Sequence, residues 1–317
     1  MKICFIADPL ASFKIAKDST YAMMVEAARR GHELHFMLQE GVMWKGGRVL
    51  GEHCPLSLTG SEDPWYRTAP ARQAPLCGFD AVLMRKDPPF DAEYLASTWL
   101  LELALREGAK VFNHPRALRD HSEKLAIAEF ARFAAPTLVT RLERELQEFI
   151  DANGDVVLKP LDAMGGHSVF RVTDRDPNRN VIIEMLTGDG TISIMAQRYI
   201  PEIRDGDKRI LLIAGKPVPH CLARIPKAGE TRGNLAAGGT GVARALTPRD
   251  LEIAAALGPT LAARGLLLVG LDVIGDWLTE INVTSPTCFR EITEQSGFSV
   301  AGMFIDALEL AVKSTAR

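Results

Sequence analysis

The chain has 317 residues, 47% of them hydrophobic and 24% charged, with a formal net charge of −3. This length gives a prior of about two domains, and the composition is that of a folded globular protein with enough apolar material for a sizeable core. The charge balance gives nucleic-acid binding no support, and no uninterrupted apolar run approaches the ~20 residues that a membrane span requires; neither a nucleic acid nor a membrane is expected as a partner.

The N-terminal "MKICFIADPL" is a short apolar run ended by Asp8 and Pro9, and reads as a first β-strand rather than a signal peptide. "STYAMMVEAARRG" is helical, with Gly31 at its C′ position. "LHFML", "FDAVLMR" and "KVFN" read as strands, and "DAEYLASTWLLELALREG" as a helix closed by glycine. Such alternation predicts a parallel α/β layer. Residues 40–76, rich in Gly and Pro, are expected to be loops and short antiparallel pieces.

The pattern changes near residue 120. "RALRDHSEKLAIAEFA" reads as a helix stopped by Pro136. "TLVT", "DVVLKPL", "HSVFRV", "ISIMAQRYI", "KRILLIAGKPV" and "PHCLARI" read as strands, several close enough in sequence for antiparallel pairing. "TPRDLEIAAALGPTLAARG" is a helix with Thr247 as N-cap, Pro248 at N1 and Gly265 at C′. "LLLVGLDVIGDWLTEINV" reads as two strands around Gly275-Asp276, and "VAGMFIDALELAVKS" as a final helix. The chain is thus α/β at its start and α+β later, with boundaries expected near 122 and 200. The five cysteines, Cys4, Cys54, Cys77, Cys221 and Cys288, are dispersed and form no CxxC pair. They read as reduced thiols of a cytosolic protein.

Three clusters could carry chemistry. In "LKPLDAMGGHSVFRV", Lys159 interrupts an apolar strand and needs an anion. Gly165 and Gly166 follow, and glycines let backbone N–H groups approach a phosphate; a plain glycine-turned hairpin is the alternative. The P-loop pattern is absent. In "LDVIGDWLTEINVTSP", Glu280 and Asn282 are two apart on a strand and share a face. Asp272 lies in a run that looks buried. Carboxylate and amide oxygens are hard ligands that suit Mg²⁺ held also by substrate phosphates. A two-residue turn at Gly275-Asp276 would set Asp272 opposite Thr279, away from Glu280. A shared site therefore requires an odd connection or a β-bulge, and we expect one of these. The third cluster is cationic: Arg85, Lys86, Lys208, Arg209, Arg224 and Arg232. Arg85 ends a strand, where α/β sheets present ligand residues. Arginine suits bidentate carboxylate or phosphate recognition, although each alone is more often a solvated or salt-bridged surface residue. His114, His121, His167 and His220 show no metal-ligand spacing, and Cys288 lacks a nearby base, so these read as structural.

The segment "IPKAGETRGNLAAGGTG" (225–241) has five glycines among seventeen residues. Ordering it at roughly 1 kcal/mol per residue costs about 17 kcal/mol, against about 8 kcal/mol from a micromolar ligand. It is expected to be either partly ordered beforehand or disordered until the site fills. A lid that excludes water is the reading that fits, with Arg232 and Asn234 as its contacts.

The stretches "KDSTYAM", "LMRKDPPFD", "SEKL", "LKPLDAMGG", "DGDKR", "LARIPKAGETRGNLAAGGTG" and "GLDVIGDWLTEINVTSPTC" closely resemble the bacterial type of glutathione synthetase, within the ATP-grasp ligases. The resemblance runs to about residue 290. It implies an ATP-grasp fold with an N-terminal Rossmann-like α/β domain: 1–122 contributing to substrate binding, 123–200 with the glycine-rich loop, and 201–317 with the metal site and lid. It implies ATP as co-substrate and two Mg²⁺ ions, with Mn²⁺ able to substitute. Lys124 and Lys159 resemble the phosphate lysines. Gln197, Arg198, Tyr199 and Ile200 resemble the hinge strand that meets adenine, and Asp207 the ribose-binding acid. Asp272, Glu280 and Asn282 resemble the metal ligands; Arg85, Arg224 and Ser285 resemble contacts to substrate carboxylates. The implied reaction joins γ-glutamylcysteine and glycine through an acyl phosphate, in the cytoplasm, in a homotetramer. Arg209 is the residue expected to stabilise charge on the transferring phosphoryl group or tetrahedral adduct. Another ATP-grasp ligase, such as a D-alanine or glutamate ligase, would share the ATP and metal residues but not "MRKDPPFD". A nucleotide-binding regulatory protein on an inactive scaffold would be marked by loss of a metal ligand or phosphate lysine.

Overall fold

A computed structural model gives the three-dimensional structure and describes residues 1–317 except 163, 164, 228, 230–232, 234, 236, 237 and 315–317. Strand Lys2–Ile6 is buried beyond its first residue and pairs in parallel with Glu33–Met37 and Ala81–Met84. The last of these pairs in parallel with Val111–Phe112. Helices Ser19–Arg29 and Ala92–Arg106 make crossovers, and both start on an aspartate: Asp18 accepts from the Tyr21 amide and Asp91 from the Tyr94 amide. Such caps satisfy N–H groups that the helix leaves unpaired. The expected parallel layer is present.

Two antiparallel sheets follow. One runs in the order Phe170–Thr173, Asp155–Pro160, Ile194–Arg198, Thr137–Thr140. The other runs Thr240–Ala245, His220–Ile225, Asp207–Ile213, Leu268–Ile274, Trp277–Asn282, with Lys216–Pro217 paired to Asp207–Ile213. Thr247 caps helix Pro248–Ala263 in a full capping box with Asp250.

Three local expectations need correction. Residues 40–76 hold the expected short antiparallel strands, but the one they pair with, Arg48–Leu58, is eleven residues long. Its Gly51 hides it from a propensity reading; a Cβ there would meet Met37 Cε at 2.5 Å, so a larger residue would make the Met37 and Leu76 side chains shift. The helix expected from Arg116 to Ala131 breaks: Pro115–Asp120 is α-helical, Leu125–Phe133 is 3₁₀, and His121–Lys124 lies between them. The Glu123 carbonyl accepts from the Ile281 amide at 2.8 Å, a tertiary bond incompatible with a continuous helix. Helices Glu143–Asn153 and Arg179–Thr187, which pack on the four-stranded sheet through Leu146, Ile150 and Ile183, were not anticipated.

The N-terminal layer is not separate from the rest. One core cluster joins Ile3, Phe5 and Leu83 to Leu211, Phe289 and Phe304. Asn113, buried at the end of the parallel sheet, donates to the Leu268 and Val283 carbonyls (2.7 and 2.8 Å) and accepts from the Leu268 amide (2.9 Å). These bonds hold the carboxyl ends of the parallel strands against residues 283–288, where such sheets place ligands.

Candidate active site

The hairpin Leu268–Ile274/Trp277–Asn282 organises the site. Ile274 pairs with Trp277 and Val273 with Leu278, but Asp272 pairs with Glu280. Thr279 is therefore the extra residue of a β-bulge, and its hydroxyl donates to the Asp272 carbonyl at 3.1 Å. The bulge reverses the parity of a plain two-residue hairpin and puts Asp272 and Glu280 on one face. This is the irregularity the sequence required. Asn282 lies two residues beyond Glu280, and its amide nitrogen donates to the Gly270 carbonyl at 3.3 Å.

The same face carries a buried charge array. Arg209 pairs with Asp272 across adjacent strands, and Arg224 with Asp207. Arg209 Nε lies 2.6 Å from Asp272 Oδ1, and its NH2 lies 3.2 Å from Oδ2. Arg224 NH2 reaches the same Oδ2 at 2.9 Å and also bonds Asp207 Oδ2. Asp272, Arg209 and Arg224 are 3%, 7% and 4% exposed. Burial alone would raise the Asp272 carboxyl, but the two guanidiniums outweigh it and hold the group well below the usual range. Asp207 goes the other way. Burial, with the Asp272 and Glu280 charges, pushes it up to about 7 against the pull of Arg224. Its Oδ1 is a buried acceptor with no partner among the described residues.

Facing this array from the four-stranded sheet, Lys159 places Nζ 3.7 Å from Glu280 Oε1, and Lys124 places its own at 3.9 Å. Burial lowers the Lys159 ammonium, with Glu280 opposing. A cleft between the two antiparallel sheets is lined by Lys124, Lys159, Gly165, Gly166, Gln197, Arg198, Tyr199, Ile200, Asp207, Asp272 and Glu280. Gly165 and Gly166 have φ of +65° and +77°, which explains glycine at both. Arg171 stacks on the Tyr199 ring at 3.8 Å and pairs with Asp155, stiffening the cleft wall.

A second cavity adjoins the first at Gly165 and is lined by Asp87, Glu123, Arg209, Arg224, Asn282 and Ser285, among others. Ser285 donates to Asp87 Oδ1, joining the N-terminal layer to the loop after Asn282. Arg85 lines neither cavity. Its Nε donates to Thr20 Oγ1 (3.2 Å) and its NH2 to the Pro286 carbonyl (3.0 Å), so it braces the loop from behind. Cys288 lines the second cavity as a buried thiol that burial pushes up. Arg232 and Asn234 lie outside the described residues; their neighbours Gly233 and Leu235 line the first and second cavities.

Sequence reasoning missed Glu123, Asp87 and Thr284. Glu123 accepts from Thr284 Oγ1 at 2.8 Å, and burial raises its carboxyl. Its sequence signal was its place beside Lys124 in the stretch "SEKL".

Two antiparallel sheets closing on a cleft, Lys159 on one, an acid–amide set on the other and Lys124 in the link beside them, define an ATP-grasp protein. The chain is similar to the crystal structure of a D-cycloserine synthetase (TM-score 0.66, 17% identity, 98% of this chain and 99% of that one). It is also similar to a RimK domain ATP-grasp protein from Sphaerobacter thermophilus (TM-score 0.61, 20% identity, 97% and 99%). The chain belongs to the prokaryotic glutathione synthetase family: the family's N-terminal domain matches residues 1–119 and its ATP-grasp domain residues 123–297. It is 64% identical over 311 residues to the glutathione synthetase of Ralstonia nicotianae, covering 98% of this chain and 96% of that protein. It is 62% identical over 312 residues to that of Nitrosomonas europaea, covering 98% of each. It is accordingly an ATP-grasp ligase that forms a carbon–nitrogen bond.

Proposed function

We propose that this site joins γ-glutamylcysteine and glycine at the expense of ATP, through an acyl phosphate. A substrate carboxylate and a triphosphate repel each other, so the site must hold both and absorb the charge that moves between them. The observation that carries the reading is the bulged register, which gathers Asp272 and Glu280 on one face between two lysines and two arginines.

Lys124 and Lys159 bind the phosphates, Gly165 and Gly166 offer backbone N–H groups, and Gln197 to Ile200 wall the adenine. The unpartnered Asp207 Oδ1 suits a ribose hydroxyl. Arg224, Ser285 and the Arg85-braced loop hold the substrate carboxylates. Asp272, Glu280 and Asn282 supply hard oxygens of the kind Mg²⁺ takes. When bound, two Mg²⁺ ions, or Mn²⁺ in their place, would neutralise phosphate charge.

The cysteinyl carboxylate attacks the γ-phosphorus and ADP leaves. The glycine amine then attacks the acyl carbon, and phosphate leaves as the amide forms. Arg209, which lines the second cavity and is held bidentately by Asp272 of the nucleotide cleft, stabilises the transferring charge; that pairing supports the reading. Residues 225–241 act as the lid, a reading supported by Gly233 and Leu235 in the cavity walls. Residues 1–122 contribute the Asp87 and Arg85 side of the substrate cavity.

We further propose a cytoplasmic homotetramer. Five free thiols support the compartment, and exposed Trp44, Trp99 and Leu103 support an interface on the N-terminal layer. Phosphate release from ATP is the test of function, with γ-glutamylcysteine and glycine added separately and together. No release with both present would overturn the assignment.

A further inference from the structure

Asp272 and Glu280 reach one face either through an odd number of residues in the hairpin connection or through a bulge beside the site. The structure takes the bulge, and the surroundings of the hairpin tip supply a reason. Gly275 and Asp276 form the two-residue turn, and both of their carbonyls accept from cations outside the hairpin. Lys208 Nζ donates to the Gly275 carbonyl at 2.9 Å, and Arg249 Nε to the Asp276 carbonyl at 3.2 Å. Each cation is itself held. Lys208 pairs with Asp250, which is 0% exposed and whose second oxygen accepts from the Thr247 amide at 2.9 Å. Arg249 pairs with Glu252. The tip is thus fastened to the first turn of helix Pro248–Ala263. Lys208 and Arg209 are successive residues of one strand and point to opposite faces, so Arg209 serves the site and Lys208 the tip. Lys208 lies opposite Val273, the last residue before the register shifts. Beyond the shift, the strand is pinned again where the Ile281 amide donates to the Glu123 carbonyl at 2.8 Å. Thr279, the extra residue, lies between the two pins.

We propose that Lys208 is a positioning residue of the site: with Arg249 it clamps the two-residue turn and so forces the extra residue to Thr279, beside Asp272 and Glu280, instead of to the tip. Without the clamp, the hairpin satisfies the same parity with a three-residue turn, Gly275 to Trp277, which sets Ile274 opposite Leu278 and Val273 opposite Thr279. Asp272 would still face Glu280, but the bend and twist that a bulge adds would leave the site. The Thr279 hydroxyl would leave the Asp272 carbonyl, to which it now donates at 3.1 Å. Trp277 would enter the turn and leave Arg198, whose guanidinium lies 5.5 Å from its ring centroid. Glu280 would lose its aim at Lys159 and Lys124, whose Nζ atoms lie 3.7 and 3.9 Å from Oε1. The inference rests on the nucleotide reading of the cleft given above.

Lys208→Met tests it, with a crystal structure to locate the extra residue and calorimetry to give the Kd for ADP in the presence of Mg²⁺. The irregularity should move from Thr279 to the tip, and ADP binding should weaken about 10-fold, the lower end for one charge-assisted contact. The KM for γ-glutamylcysteine should move by less than about twofold, a split that a general loss of stability would not produce. Lys208→Arg, long enough to meet both Asp250 and the Gly275 carbonyl, should recover most of the ADP affinity. Arg249→Met leaves the buried Lys208–Asp250 pair intact and covers the case in which Lys208→Met fails to fold. It frees only the Asp276 carbonyl and should weaken ADP binding about threefold. An unmoved bulge in Lys208→Met would overturn the clamp, as would an unchanged ADP affinity in either variant that folds. Failure of the wild-type protein to bind ADP would instead overturn the nucleotide reading of the cleft.

Discussion

Asp272 is the centre of the buried charge array, and Asp272→Asn isolates its charge at nearly constant volume. In the wild type, the Arg209 and Arg224 guanidiniums face the Asp272 carboxylate and Asp207, which burial keeps partly protonated near neutral pH. The substitution leaves two buried guanidiniums with Asp207 as their remaining acid. Removing one partner of a buried pair typically costs about 3–5 kcal/mol, mostly from the charge left uncompensated. For 317 residues the unfolding entropy is about 670 cal/mol/K, so the Tm should fall by about 4–8 °C. The sharper test is the double substitution Asp272→Asn with Arg209→Met, which removes both members of the pair and leaves Arg224 with Asp207. It should recover about 2 kcal/mol relative to the sum of the single changes, as coupled contacts do. Urea unfolding of the wild type, both single variants and the double variant gives the cycle. Additivity within about 0.5 kcal/mol would show that Arg209 and Asp272 do not share their charge, and would refute the electrostatic account of the array.

Arg209→Met alone should lower kcat much more than ATP affinity in steady-state kinetics, and equal loss in both would remove its transition-state role. Trimming residues 225–241 should raise wasteful ATP hydrolysis relative to peptide formation, measured as the phosphate-to-glutathione ratio; a fixed ratio would remove the lid. The N-terminal layer should be acid-sensitive. His35 and His53 face each other with Nδ1 atoms 3.1 Å apart, so at least one imidazole must be neutral. Burial, then His35 and Arg72, lower the folded-state pKa of His53 to about 4 from 6.5. Below pH 6.5 the unfolded chain takes up a proton that the folded chain refuses. Stability is therefore full above that pH and falls by up to about 3 kcal/mol towards pH 4. His53→Gln should flatten this slope in urea titrations across that range, and an unchanged slope would assign the acid sensitivity elsewhere.

Much of the fold lies in local chemistry that a sequence displays. Thr247 announces a helix start because a side-chain oxygen can satisfy a free N–H within three residues. The apolar strands of the parallel layer are legible because both of their faces are buried. Lys159 and Asp272 stand out for the same reason: each is a charge in an apolar run and demands a partner.

What stayed hidden is what distant residues decide. Strand Arg48–Leu58 carries Gly51 for the sake of Met37, and the helix after Pro115 ends where Ile281 claims a carbonyl. Glu123 lay unremarked inside "SEKL", since its place beside Asp87, Arg209 and Thr284 in the second cavity is set by distant parts of the chain. Arg85 was legible as a strand-end cation but not as a brace, because Thr20 and Pro286 lie 65 and 201 residues away. By itself the sequence determined which residues must find partners, because burial of a charge or an unpaired backbone group is costly wherever it occurs. Only the tertiary structure decided who those partners are, because a one-residue bulge at Thr279 is enough to choose the face on which Asp272 meets Glu280.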